Sequence, residues 1–270
     1  MPTVAPGADR GPSVHAGLLL DQLPPPALAG YEQGEVAFAR DTWPLKAAEE
    51  LRSALIFRAL GHASARSPIC AGWTERFFAA AHDEIFHAKL CAAIGARLGA
   101  PRPRYDAGPV HARLDPLVDP TRRACALALI EIAVGETISL AMFRAGRRAA
   151  REPLTRAGLH RILIDEVRHQ RLGWGAISAW WPALDRPNRQ ALQEEARAGM
   201  GAIEQQIAAP ALRRLEAKMD FAPHYAELGV LAPEARVEAF YEAIERLVIP
   251  RLTLLGLDGQ SAWDDRYAAP

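Results

Sequence analysis

The 270-residue chain has little cysteine and no excess of charge of either sign. Its three cysteines, Cys70, Cys91 and Cys125, lie far apart and form no C-x-x-C pair. That argues against a disulfide framework, a zinc knuckle and a rubredoxin-type iron site, and it fits a reducing cytoplasm. Lysine and arginine total 32, as do aspartate and glutamate. With no net charge, nothing points to nucleic acid or an anionic membrane as a partner. The N-terminal residues show no basic cluster followed by an apolar run, so no secretory signal is expected. Alternating apolar and polar stretches are missing, and no N-G or D-G turn joins two apolar runs, so strands are not expected. No flavin, nicotinamide or iron–sulfur motif is present.

One long hydrophobic run is present, from Ala124 to Phe143, and it contains Glu131 and Glu136. An ionised carboxylate at the middle of a bilayer costs about 3 kcal/mol. A buried helix of a helical bundle explains the run better than a membrane span, but its two carboxylates then need partners.

Apolar periodicity and breakers predict an all-α chain. Residues 1–40 are rich in proline and glycine and read as a flexible arm, with a short helix near Ala27–Tyr31. Residues 41–270 read as a single domain. Asp41-Thr42-Trp43-Pro44 resembles a capped helix start, giving helices over about Pro44–Ser64, Cys70–Leu98, Asp119–Glu152 and Pro153–Trp180. A proline-rich crossover at 100–116 separates the second helix from the third. Further helices are expected at Pro187–Ile207, Pro210–Met219 and Pro233–Leu255, the last kinked at Pro250.

Two of these helices repeat a pattern. Asp83-Glu84-Ile85-Phe86-His87 and Asp165-Glu166-Val167-Arg168-His169 are both D-E-x-x-H. Glu and His at i and i+3 share one helical face, so both can reach one ion. The helix before each motif carries a candidate inward carboxylate. Glu50 stands thirty-four residues before Glu84, and Glu136 thirty before Glu166. Across an antiparallel pair with a short connection, such residues sit level.

Glu50 has core-type neighbours in Ala47, Ala54 and Phe57, whereas Glu49 shares a side with Lys46 and Arg52. Glu49 remains the alternative. Glu136 lies among Leu129, Ile132, Ala133, Leu140 and Phe143. Glu131 is about 140° around the helix from it, and is either a further ligand or the partner of a buried arginine. His62, His82 and His160 fall off the motif positions and read as surface or structural residues.

Four carboxylates and two imidazoles in this pattern resemble the ferritin-like diiron carboxylate superfamily. The resemblance covers about residues 44–181, and the R-H ending of the second motif is similar to the oxygenase and ribonucleotide reductase branch. It implies an antiparallel four-helix bundle with a long crossover, and additional C-terminal helices over 187–255. It implies two iron ions held by Glu50, Glu84, His87, Glu136, Glu166 and His169, with Glu84 and Glu166 bridging. Manganese at one or both positions suits the same donors. Asp83 and Asp165 would each accept the free ring N–H of a metal-bound histidine.

The activity implied is O2-dependent oxidation of a small organic substrate by hydroxylation, N-oxygenation or desaturation. Candidate pocket residues are Phe57, Phe86, Ile132 and Leu140. An external reductase would supply electrons, and a homodimer is plausible by analogy. The alternative is iron oxidation or peroxide removal of the ferritin or rubrerythrin kind. Such proteins need little beyond four helices, whereas this chain continues for about ninety residues after the fourth.

Overall fold

The first helix, α1 (Gln33–Ala65), begins where Glu32 and Glu35 cap each other's backbone N–H groups. The computed structural model describes residues 20–101, 119–218 and 224–268. The predicted helix start at Pro44 is therefore wrong, and so is the short helix at Ala27–Tyr31. Residues Gln33 to Arg40, assigned to the arm, are helical. Pro44 sits inside α1, where a proline costs about 3 kcal/mol. Trp43 and Phe57 are wholly buried on the same helix, and each returns about 2–3 kcal/mol on burial. Tertiary packing thus outweighs the break. The segment before α1 is tied down as well: Arg97 donates to the carbonyls of Leu20, Leu23 and Pro24, and Glu152 accepts from the Ala27 amide.

A 3-10 turn (Ala71–Trp73) leads into α2 (Thr74–Arg97). Helix α3 (Pro120–Ala149) is capped by Asp119, whose side chain accepts from the Thr121 and Arg122 amides. Its middle, Leu127–Val134, is π-helical. Helix α4 (Pro153–Trp180) is capped by Glu152 in the same way. Four more helices follow: α5 (Arg186–Ile207), α6 (Ala209–Glu216), α7 and α8 (Gly259–Asp264). Helix α7 runs through Pro233–Ala243, a π-helical Ile244–Val248 and Ile249–Leu255. The π-turn precedes Pro250, whose missing N–H and bulky ring a regular turn would not accommodate. It stands where a kink was expected. Helix α8, capped by Asp258, was not foreseen.

Contacts along the helices define an all-α antiparallel arrangement. Pro44 packs by Gly95 and Phe78 by Gly61, so α1 and α2 run opposite ways. Gly173 meets Ala133 and Gly146 meets Leu159, which does the same for α3 and α4. Ile94 meets Gly158, and Phe77 packs on Trp180, which sets α2 against α4. Helices α2 and α3 therefore end and begin at opposite ends of the bundle. The expected crossover between them lies largely outside the described residues, as do residues 1–19 of the arm.

Helix α3 is the one described helix long and apolar enough to cross a membrane, and 72% of its apolar window is buried within the structure. Helices α5 and α7 also pack against it. The apolar core divides in two. One cluster includes Phe57, Phe77, Leu129 and Trp180; the other includes Trp43, Leu90, Ile94 and Leu159. Between them on all four helices lies a layer of buried carboxylates and imidazoles.

Candidate metal centre

Glu50, Glu84, His87, Glu136, Glu166 and His169 are each at most 6% exposed. They converge as two groups, each with ligand atoms within 4.8 Å of one another: Glu50, Glu84, His87 and Glu166, and Glu84, Glu136, Glu166 and His169. Glu84 and Glu166 belong to both. Helix geometry explains the pairing, because i and i+3 place each Glu and His one turn apart on the inward faces of α2 and α4. Glu50 and Glu136 then enter from α1 and α3 at the same level.

His87 Nδ1 lies 3.6 Å from Glu50, 3.5 Å from Glu84 and 3.4 Å from Glu166. His169 Nδ1 lies 2.7 Å from Glu84 and 3.9 Å from Glu166. The ring centroids are 5.8 Å apart. Both Nδ1 atoms, both Glu84 oxygens and Glu166 Oε2 are buried without a hydrogen-bond partner. Orphaned buried polar atoms on this scale are costly, about 1–3 kcal/mol each. Orphans that all face one another are what a cation-binding centre requires. The residues therefore fit two metal ions, one in each group.

The outer face of each imidazole fixes its orientation. His87 Nε2 is 3.2 Å from Asp165 Oδ2, and His169 Nε2 is 3.3 Å from Asp83 Oδ2. An ionised aspartate only accepts, so each ring donates its Nε2–H outward, which leaves Nδ1, once its proton is displaced, to offer a lone pair to a metal at the centre. The pairing is crossed: the aspartate of each motif serves the histidine of the other. Two arginines that the sequence reading left without a role complete the outer layer. Arg168 donates to both Asp83 and Asp165, bridging α2 and α4, and Arg161 donates to Asp165 at 2.6 Å. Arg161 lies four residues before Asp165, a spacing that could have flagged it.

The layer's electrostatics follow from crowding like charges away from water. Burial, reinforced by the neighbouring carboxylates, pushes Glu50 and Glu136 well above the ordinary carboxylate range. Burial also pushes Glu84 upward, but the two imidazoles outweigh it and hold its carboxyl well below that range. For His169, burial favours the neutral ring, yet the Glu84 charge and the Asp83 hydrogen bond raise it to about 10. His87 is raised as well, with Asp165 foremost among the groups that outweigh burial.

The other candidates lie elsewhere. Glu49 is exposed. Glu131 pairs with Arg52 at 3.1 Å instead of joining the cluster. His62, His82 and His160 are exposed. Phe57 packs against His169 and Phe86 beside His87, with ring centroids 5.2 and 6.2 Å away. They wall the centre, whereas Ile132 and Leu140 are core residues. None of these four lines the pocket of about 140 Å3 that meets Glu136; Ile56, Met142 and Phe143 do.

Compared with known proteins, the chain matches no family and no curated sequence.

Proposed function

We propose that this protein is a dinuclear non-heme metalloenzyme, with iron at both positions, that uses O2 to oxidise a small organic substrate. The observation that carries this reading is the pair of overlapping donor groups sharing Glu84 and Glu166, with their ligand atoms buried and unpartnered. Carboxylates and imidazole suit iron, and manganese satisfies the same donors. Two redox-active ions held by these groups would supply electrons and a coordination site for O2 reduction.

The chain's own groups have separate tasks. Glu84 and Glu166 would bridge the ions, and Glu50 and Glu136 would each serve one. Asp83 and Asp165 hold the imidazoles in the tautomer that binds metal. Phe57 and Phe86 keep water from the centre. The pocket at Glu136 favours substrate oxidation over iron storage, because it gives an organic molecule a place beside one metal position. In the absence of a nucleotide or iron–sulfur motif, a separate reductase would deliver electrons.

The test is to load the protein anaerobically with ferrous iron and then admit O2. Limited O2 uptake that becomes catalytic with a reductant and an organic substrate supports the reading. Continued uptake with iron accumulating far beyond two per chain would replace it with iron storage.

A further inference from the structure

The pocket beside Glu136 has an unusual balance of charge. It lies between α1, α3, α5 and the first turn of α7, and its inner end is the buried Glu136. Its walls include the buried apolar side chains Ile56 and Phe143. Nearer the surface it is lined by three cations, Lys46, Arg52 and Arg236. Arg52 is neutralised by Glu131 at 3.1 Å. Among the described residues, neither Lys46 nor Arg236 forms an ion pair with a carboxylate within 4.0 Å.

The Lys46 ammonium is parked 5.6 Å from the ring centroids of both Trp43 and Phe143. Lys46 and Arg236 line the same pocket, where burial and then the Arg236 charge loosen the ammonium's hold on its proton. Glu49 also lines this wall and offsets part of one charge. The Glu136 carboxylate belongs to the metal centre. Lys46 and Arg236 therefore bring more positive charge to this half-buried, partly apolar pocket than Glu49 returns. Such an arrangement costs stability unless an anion completes it.

We propose that this pocket selects a small organic acid, its carboxylate held between Lys46 and Arg236 and its apolar body lying along Ile56 and Phe143 toward Glu136. The guanidinium fork and the ammonium together supply the donors a carboxylate takes. A volume of about 140 Å3 admits a compact acid and excludes drug-sized molecules, whose pockets run from about 300 Å3 upward. The inference deepens the proposed function and rests on it only for the identity of the acid as substrate.

The test is calorimetric titration with hexanoate and phenylacetate against their uncharged amides. It is run on metal-free and iron-loaded protein, for wild type, Lys46→Met, Arg236→Met, the double variant and Lys46→Arg. The acids should bind wild type more than tenfold tighter than the amides, on the order of one charge-assisted contact. The double variant should lose that preference, Lys46→Arg should keep it, and metal content should be unchanged in all. Equal binding of acids and amides, or an acid preference that survives in the double variant, overturns the proposal. Acid selectivity in metal-free protein that never loads iron would sustain the pocket assignment and defeat the enzyme reading. Full iron loading without acid selectivity would do the reverse.

Discussion

Behind His87, the Asp165 side chain is 3% exposed and held by two arginines, Arg161 and Arg168. Behind His169, the Asp83 side chain is 12% exposed and, among the described residues, is held by one arginine, Arg168. The contrast extends inward. Of the six central residues, only Glu136, on the His169 side, lines the pocket. The helix supplying Glu136 is π-helical just before it, whereas α1 is regular around Glu50. One half of a near-symmetric centre is thus braced by two arginines, and the other is braced by one and borders a cavity. Equal ligands need not mean equal roles: on the proposed function, the His87 half would hold a metal and the Glu136 half would let a substrate approach one. π-Turns recur at functional sites because they break helical regularity where a side chain must be aimed.

The largest effect should come from erasing what the halves share. Glu84→Ala or Glu166→Ala removes a carboxylate common to both groups, so metal content should fall from two per chain to below one. Glu50→Ala and Glu136→Ala should each leave about one. Elemental analysis after anaerobic iron loading distinguishes these cases, and equal losses in all four would erase the bridging assignment.

The contrast itself is sharpened by the aspartates. Asp165→Asn and Asp83→Asn should each weaken metal binding by about 10- to 100-fold, with Asp165 the costlier. Competition with a chelator reads the order, and the reverse order would break the comparison.

A third change acts on one half through packing. A Cβ at Gly173 would stand 2.6 Å from the Ala133 backbone nitrogen. Gly173→Ala should push α4 from α3, cost about 1–3 kcal/mol in a thermal melt, and loosen the His169 position first. A Cβ at Gly34 would meet nothing within 4 Å, so Gly34→Ala should be neutral or stabilise by up to about 1 kcal/mol.

The smallest effect is protonic. His169 is raised to about 10, above its ordinary value of about 6.5. In the metal-free protein its contribution to stability is present below about pH 6.5 and lost as pH rises toward 10. A metal at neutral pH must displace that proton, so apparent affinity should rise with pH across this window. Calorimetry in buffers of differing ionisation enthalpy should count proton release on binding at pH 7. Binding without proton release would contradict the assigned imidazole.

The helical class and the six central residues were legible because the chemistry is written at i and i+3 and at matched distances along paired helices. The apolar neighbours Ala47, Ala54 and Phe57 favoured Glu50 but left Glu49 open, and the structure decides between them by burying Glu50 and exposing Glu49. The crossed Asp–His pairing was not legible, since it depends on how α2 and α4 pack against each other. The start of α1 was misread because Pro44 mimics a first turn, whereas the cap is a pair of glutamates, Glu32 and Glu35. π-Turns have no signature in a 3.6-residue pattern. The pocket beside Glu136 was not legible, because α5 and the start of α7 close its wall and nothing in the bundle motifs says where those helices dock.

The central claim is that two ions share Glu84 and Glu166 inside one chain. Its most direct test is the iron content of folded wild-type protein after anaerobic reconstitution and removal of loosely bound metal. The structure predicts about two ions per chain. Fewer than one ion per chain, in protein with an intact helical spectrum, would mean that the buried carboxylates and imidazoles form a structural network and not a metal centre.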